Sequence, residues 1–316
     1  MEPSGTCFTY QAGYWVYRSP PQSSPHYASG MAFIEAFRRH LASLDLAPGP
    51  AVVAVSGGPD STALLDLLAQ TRDAHQLELV VGHVDHGIHP DSAAVAGQVR
   101  ALALRYGLPV HVGKLGLGPE AGETRARAGR YQWLEALRAG LGAEVILTAH
   151  HANDQVETVL MRVLKGSGPA GLAGMASVRG HLVRPLLPFR HADLMRHLEQ
   201  TGLKAWVDPA NSDRRHLRSW IRTELLPAMR QRLPEVDSSF LRLSHQAHRD
   251  RAAWDALLDV LPELDLRLET EGISVAASSL GGYDSPLVQA VILAAARRAG
   301  CQLGPSRVGR VLEGPS

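Results

Sequence analysis

Two short stretches of this 316-residue chain have residue types and spacings suited to chemistry. The first is Ser56-Gly57-Gly58-Pro59-Asp60-Ser61, between the apolar run 51–55 and the helix-forming stretch 63–69. Paired glycines let the backbone approach a ligand closely, and the N–H groups of such a loop and of a helix start, with the helix dipole behind them, favour an anion. A Walker A loop needs GxxxxGK[ST] and a dinucleotide fingerprint needs GxGxxG; neither is present here. An ordinary Gly-Gly-Pro turn before a capped helix would carry the same residues. The second stretch is His150-His151-Ala152-Asn153-Asp154-Gln155-Val156-Glu157, in which Asp154 and Glu157, at i,i+3, share a helix face. Complementing the helix dipole, worth ~0.3–1 kcal/mol, is a competing role for these carboxylates. His150 and His151 are a poor metal pair, since neighbours on a helix point about 100° apart. Arg127 and Arg130 also share a face, which could equally be a solvated one.

These side chains need a scaffold, and the chain alternates apolar runs with helical patterns. Strands are expected at 51–55, 77–83, 109–113, 144–149 and 182–184, with helices at 91–106, 123–139 and 153–164. The alternation predicts the α/β class, a mostly parallel doubly wound sheet in which ligands bind beyond the carboxyl ends of the strands. A helix is also expected over 32–44. Past residue 212 helices dominate, with a hairpin near 266–276 and a helix over 285–298. The domain reading is therefore 31–212 for the catalytic unit and 213–316 for a smaller helical unit. Residues 1–30 show no sustained period, and are read as a disordered extension or as sequence ahead of a start at Met31.

Thirty-two basic and 31 acidic residues give a net charge of +1, so no global field attracts nucleic acid. Locally, nine arginines between Arg214 and Arg251 face four acidic residues, an excess of five. A polynucleotide backbone would sit there with salt-dependent affinity, or the arginines form an ion-paired surface. Cys7 and Cys301 are the only cysteines, which excludes a cysteine zinc site or disulfide framework and suggests a reducing compartment. With no run of 18 apolar residues and no signal pattern, the expectation is a cytoplasmic protein without membrane contact.

The stretch 56–61 resembles the SGGxDS signature of the PP-loop ATP pyrophosphatases, which cleave ATP between the α and β phosphates. Three further blocks are similar to the tRNA(Ile)-lysidine synthetases within that superfamily: His83-Val84-Asp85-His86-Gly87, Arg127-Ala128-Gly129-Arg130-Tyr131 and the 148–158 block. The likeness runs on through Arg184-Pro185-Leu186-Leu187 and Arg218-Ser219-Trp220-Ile221-Arg222, covering roughly 32–300. It implies a PP-loop, adenine nucleotide α-hydrolase-like fold and adenylation of the wobble cytidine of a CAU-anticodon tRNA(Ile), AMP then being displaced by the ε-amine of L-lysine. It implies ATP contacts from Ser56, Gly57, Gly58, Pro59, Asp60, Ser61, His83 and Asp85. Asp60 among phosphates calls for Mg²⁺ between them. Asp60, Ser61, Arg127 and Arg130 would be catalytic, His150, Asp154 and Glu157 would hold lysine, and Arg184, Arg218 and Arg222 would contact tRNA. A homodimer is among the assemblies open to it.

Three departures stand out. Ser219 replaces the family's usual asparagine, Asn153 replaces the first of two carboxylates, and the chain ends at Ser316 where many relatives continue into another domain. Rival readings are tRNA thiolation, which uses paired cysteines, ammonia-dependent NAD synthesis, which leaves the arginine-rich segment unexplained, and a non-catalytic nucleotide- or RNA-binding protein.

Overall fold

The computed structural model describes residues 8–11, 14–17, 30–87, 92–118, 122–206, 217–260, 267–269, 272–274, 281, 282, 284–301 and 308. The elements are β1 (Phe8–Gln11), β2 (Tyr14–Tyr17), α1 (Gly30–Ser43), β3 (Gly49–Ala54), α2 (Pro59–Gln70), β4 (Leu77–Asp85), α3 (Ser92–Arg105), β5 (Val110–Lys114) and α4 (Glu123–Gly140). There follow β6 (Val145–Leu147), α5 (Ala152–Leu164), β7 (Val178–Arg179), β8 (Leu182–Val183), α6 (His191–Thr201), α7 (Leu217–Trp220), a π turn (Ile221–Leu225), α8 (Leu226–Arg232) and α9 (Val236–Asp259). The last elements are β9 (Arg267–Glu269), β10 (Gly272–Ser274) and α10 (Ser285–Arg298).

Six strands form one sheet in the order β5-β4-β3-β6-β8-β7, parallel except for the β7–β8 pair. The expected doubly wound α/β sheet is thus present. Buried on both faces, β3 reads as a continuous apolar run rather than an alternating one. Its residues Ala51 and Val53, with Val55 just past its end, join the core formed with α1, α2, α3 and α6. Val52, from the opposite face, packs with Val84, Leu134 and Ile146 under α4. The period of two along one strand therefore builds two cores.

Within residues 1–30 the described residues are Gly30 and two short strands, β1 and β2, which pair antiparallel with Phe8 opposite Tyr17; aromatic and β-branched residues suit strands, and four-residue strands are too short to display a period. Helix α6 was not anticipated at all. The expected domain boundary at 212 lies outside the described residues, as do Arg214 and Arg215. Beyond it, α9 packs on α5 and on the turn over Pro169–Ala173, with Ser244 Oγ donating to Ala173 O and accepting from Gln155 Nε2, both at 2.9 Å.

The loop between β3 and α2 has the geometry its glycines imply. Gly57 adopts φ 89°, and a Cβ there would stand 2.5 Å from Val95 Cγ1. Gly57→Ala is expected to lose about 1–3 kcal/mol of stability in urea unfolding, through left-handed strain and the clash together. An unchanged midpoint would show that the loop relaxes freely.

Candidate active site

A cavity of about 840 Å³ opens beyond the carboxyl ends of β3, β4 and β6, where a doubly wound sheet is expected to bind its ligand. Its floor is the loop 56–61. No side chain caps the start of α2, where Gly58 is the N-cap and Pro59 takes the first turn, so the helix presents its orphan N–H groups to the cavity. Ser61 Oγ donates to Gly58 O at 2.9 Å and lies 3.1 Å from Ser56 Oγ, holding both hydroxyls at the loop. Trp206 N donates to Gly57 O at 3.0 Å, closing the turn from outside.

Asp60, on the first turn of α2, is gripped by two histidines. His191 Nδ1 stands 2.8 Å from Oδ1 and His151 Nε2 3.5 Å from Oδ2, with the two rings 5.2 Å apart between centroids. Burial works to raise the Asp60 pKa, but the hydrogen bonds and positive charge of His151 and His191 outweigh it and hold the carboxyl below the usual range. His191 was missed by sequence reasoning. Its one signal was its place at a helix start after the short strand 182–184, the same kind of position that gave weight to the other segments.

His150 and His151 are not two helix neighbours, as the sequence suggested. His150 precedes α5, with Nδ1 3.0 Å from Thr148 Oγ1, and His151 is the N-cap. Asp154 N donates to His151 Nδ1 at 3.4 Å and His151 N to Asp154 Oδ2 at 3.1 Å, a capping box built with a histidine. The carboxylate and imidazole ligand atoms of Asp60, His151 and His191 lie within 4.8 Å of one another, which a divalent ion could bridge. However, the bond into Nδ1 assigns the ring hydrogen of His151 to Nε2, so His151 meets Asp60 as a donor.

Neighbouring imidazoles are shifted in opposite directions. Burial and the cations Arg184, Arg127 and Arg218, opposed by Asp154, lower His150 to about 4. For His151 burial again lowers the pKa, but Asp60, Asp154 and Glu157 overcome it and raise the value.

Asp154 and Glu157 do share one face of α5, as the spacing predicted, Glu157 buried and Asp154 partly so. Two arginines reach them from the next layer. Arg218 Nη2 donates to Asp154 Oδ1 and Arg218 Nε to Glu157 Oε2, both at 2.8 Å. Arg222 forks onto Glu157, Nε to Oε1 at 2.6 Å and Nη2 to Oε2 at 2.9 Å. Their spacing of four spans α7 and the π turn, a rare conformation that recurs at functional positions. The arginines assigned to tRNA thus complete the carboxylate cluster assigned to lysine.

Strand β4 turns Gly82 and Val84 to the cavity, and His86, just past its end, also lines it. His83 points the other way, with Nδ1 2.8 Å from Val55 O, and Asp85 accepts from Gly87 N at 2.9 Å. By the alternation of side chains along a strand, His83 and Asp85 stand outside the cavity lining while Gly82 and Val84 belong to it. Arg184 is 7% exposed and donates to Ala176 O at 2.7 Å. Arg130 and Tyr131 line the cavity, while Arg127, 5.4 Å above the Tyr131 ring, is exposed. In the arginine-rich segment Arg230 pairs with Asp237 and Arg251 with Asp255, whereas Arg232, Arg242 and Arg249 are exposed.

A parallel sheet whose first strand ends in an uncapped glycine turn, with acidic residues gathered at the neighbouring strand end, defines an α/β protein of the PP-loop class. A family model described as a PP-loop domain accordingly matches residues 35–229. Among curated proteins, the tRNA(Ile)-lysidine synthase of Alkalilimnicola ehrlichii is 40% identical over 252 residues, 78% of this chain and 55% of that protein. That of Gloeobacter violaceus is 38% identical over 221 residues, 68% of each, and that of Novosphingobium aromaticivorans 39% over 244, 75% and 72%. The chain belongs to the tRNA(Ile)-lysidine synthase family, although it spans only about half the length of the first of these relatives. A solved U34-tRNA thiolase from Methanococcus maripaludis shares the fold at TM-score 0.57 and 16% identity, covering 69% of this chain and 80% of its own.

Proposed function

We propose that this chain is an ATP-dependent carbon–nitrogen ligase that attaches L-lysine to C2 of the wobble cytidine of a CAU-anticodon tRNA(Ile). The observation that carries the reading is that one cavity joins the uncapped glycine loop to the Asp154/Glu157 cluster, so that a nucleotide phosphate and an amine can meet within it. In the first step the C2 oxygen attacks the α-phosphorus of ATP, forming a P–O bond as the bond to pyrophosphate breaks. In the second, the lysine ε-amine attacks C2, the C–O bond breaks, AMP leaves and the amine gives up its proton. Codon specificity then changes from AUG to AUA.

The backbone N–H groups of the loop, and the Ser56 and Ser61 hydroxyls on turning from their bonds within it, would meet phosphate charge that grows in the transition state. Asp60 fits a Mg²⁺ carried on the phosphates, because each oxygen has one histidine partner and keeps a lone pair. Bound there, the cation would neutralise charge on the α-phosphate and on departing pyrophosphate. Arg130, on the cavity wall, and Arg127 beside it can meet nucleotide or tRNA phosphate. A lysine ammonium can join the Asp154/Glu157 cluster without dismantling it, since Glu157 Oε1 and Asp154 each accept fewer bonds than they have lone pairs. Exposed Arg232, Arg242 and Arg249 suit the tRNA backbone. No helix among the described residues is long and apolar enough to cross a membrane, which accords with work in the cytoplasm on tRNA.

The test is AMP release from ATP with lysine and the CAU isoleucine tRNA, each omitted in turn. Release is expected to need both; release with a sulfide donor or ammonia in place of lysine would overturn the assignment.

A further inference from the structure

Helices α2 and α6 are joined by two aspartate–histidine pairs. At their N-terminal ends Asp60 meets His191, and six residues further along both helices Asp66 meets His197, with Nε2 2.5 Å from Oδ2. Six residues on each helix correspond to about 9 Å of rise, so one axial alignment of two parallel helices satisfies both pairs. A slip of one residue, about 1.5 Å, would break both.

The pairs differ in surroundings. Asp66 and His197 side chains are 4% and 1% exposed, and besides His197 the Asp66 carboxylate accepts from Gln70 Nε2 at 2.6 Å and from Tyr106 OH at 2.5 Å. Apolar contacts of Leu194 and Leu198 with the core hold the same helix but tolerate sliding, whereas a buried polar pair has only one satisfied arrangement. Asp60 and His191 are 30% and 43% exposed and face the cavity. His191 is held a second time, because its backbone N donates to Asn153 Oδ1 at 2.9 Å, tying the start of α6 to α5. Asn153, a departure from the family pattern, thus serves as an acceptor where a charge is not needed.

We propose that α6 positions Asp60: the buried Asp66–His197 pair sets the alignment of α6 on α2, and His191 orients the Asp60 carboxylate so that its remaining lone pairs face a phosphate-bound cation. His191 is a positioning residue, acting through Asp60. Partners that orient a ligating carboxylate typically contribute 10–100-fold in metal affinity or activity. The inference rests on the reading of residues 56–61 as the site of the ATP phosphates.

The experiment compares wild type with Asp60→Ala, His191→Ala, His191→Asn and His197→Gln. Two readouts are the Mg²⁺ concentration giving half-maximal AMP release, and calorimetric binding of the non-hydrolysable α,β-methylene analogue of ATP with Mg²⁺. His191→Ala should raise the Mg²⁺ requirement about 10-fold and weaken Mg²⁺-dependent binding of the analogue equally. His191→Asn, whose amide can donate from near the Nδ1 position, should recover most of both. His197→Gln should show the same shift together with a lowered melting temperature, while His191→Ala should melt within a degree or two of wild type. If Asp60→Ala loses Mg²⁺-dependent binding and His191→Ala does not, the positioning role is overturned. If Asp60→Ala binds and turns over like wild type, the nucleotide-site reading fails instead. If Zn²⁺ without nucleotide binds wild type tightly and His191→Ala weakly, the histidines are metal ligands and the role proposed for His191 is wrong.

Discussion

Asp60→Ala is expected to reduce ATP-dependent AMP release by on the order of 10²–10³-fold, the usual loss when one preorganised electrostatic partner of the transition state is removed. The carboxylate stands on the first turn of α2 beside the uncapped N–H groups, where a negative side chain among phosphates makes sense only with a cation between them. Its hydrogen bonds from His151 and His191 keep it ionised against the effect of burial, so it is already in the form a cation needs. Asn at this position should also fail, since it keeps the shape but not the charge. Circular dichroism should show the fold of Asp60→Ala intact, because the core beneath α2 is built from Leu64, Leu65, Leu67 and Leu68 and not from Asp60. AMP release within threefold of wild type would remove Asp60 from the machinery.

Glu157→Ala is expected to raise the lysine concentration for half-maximal AMP release at least 10-fold and to lower stability by roughly 1–3 kcal/mol. Glu157 is 4% exposed and receives three donors from Arg218 and Arg222. Removing one partner of a fully buried pair costs about 3–5 kcal/mol. The smaller figure applies because Arg222 is 47% exposed, so water can solvate the guanidinium it leaves behind. Urea unfolding measures the stability loss, and lysine titration of AMP release measures the substrate effect. A variant that loses stability but keeps its lysine dependence would reduce Glu157 to an anchor for α7 and the π turn. Glu157→Gln separates the two roles further, keeping volume and one acceptor oxygen while removing the charge that an ammonium requires.

The central strands and their helices were legible from residue patterns because each signal was local. The run 51–55 is apolar on every residue because it is buried on both faces, and Gly57-Gly58-Pro59 marks the turn with residues whose backbone freedom or restriction forces it. The i,i+3 spacing of Asp154 and Glu157 puts both on one face, since the helix period alone decides it. By contrast, His83 and Asp85 drew the nucleotide assignment although Gly82, Val84 and His86 meet the cavity. Alternation says only that the two sets face opposite ways, and which face carries the cavity depends on what packs over each. Helix α6 escaped notice because its polar residues, His191, Asp193, Arg196 and His197, obscure a narrow apolar face.

The sequence by itself determined the class of fold, the glycine turn between strand and helix, the paired carboxylates and the family, because each depends on residues close together in the chain and on ordered motifs. Only the tertiary structure decided how those parts are wired. Contacts between residues 131 apart bring His191 to Asp60 and His197 to Asp66, and contacts 61 to 65 apart bring Arg218 and Arg222 to Asp154 and Glu157. No periodicity encodes such pairs. They arise when packing aligns helices whose faces were chosen independently, so a charged residue's partner is settled by the neighbouring layer and not by its own segment.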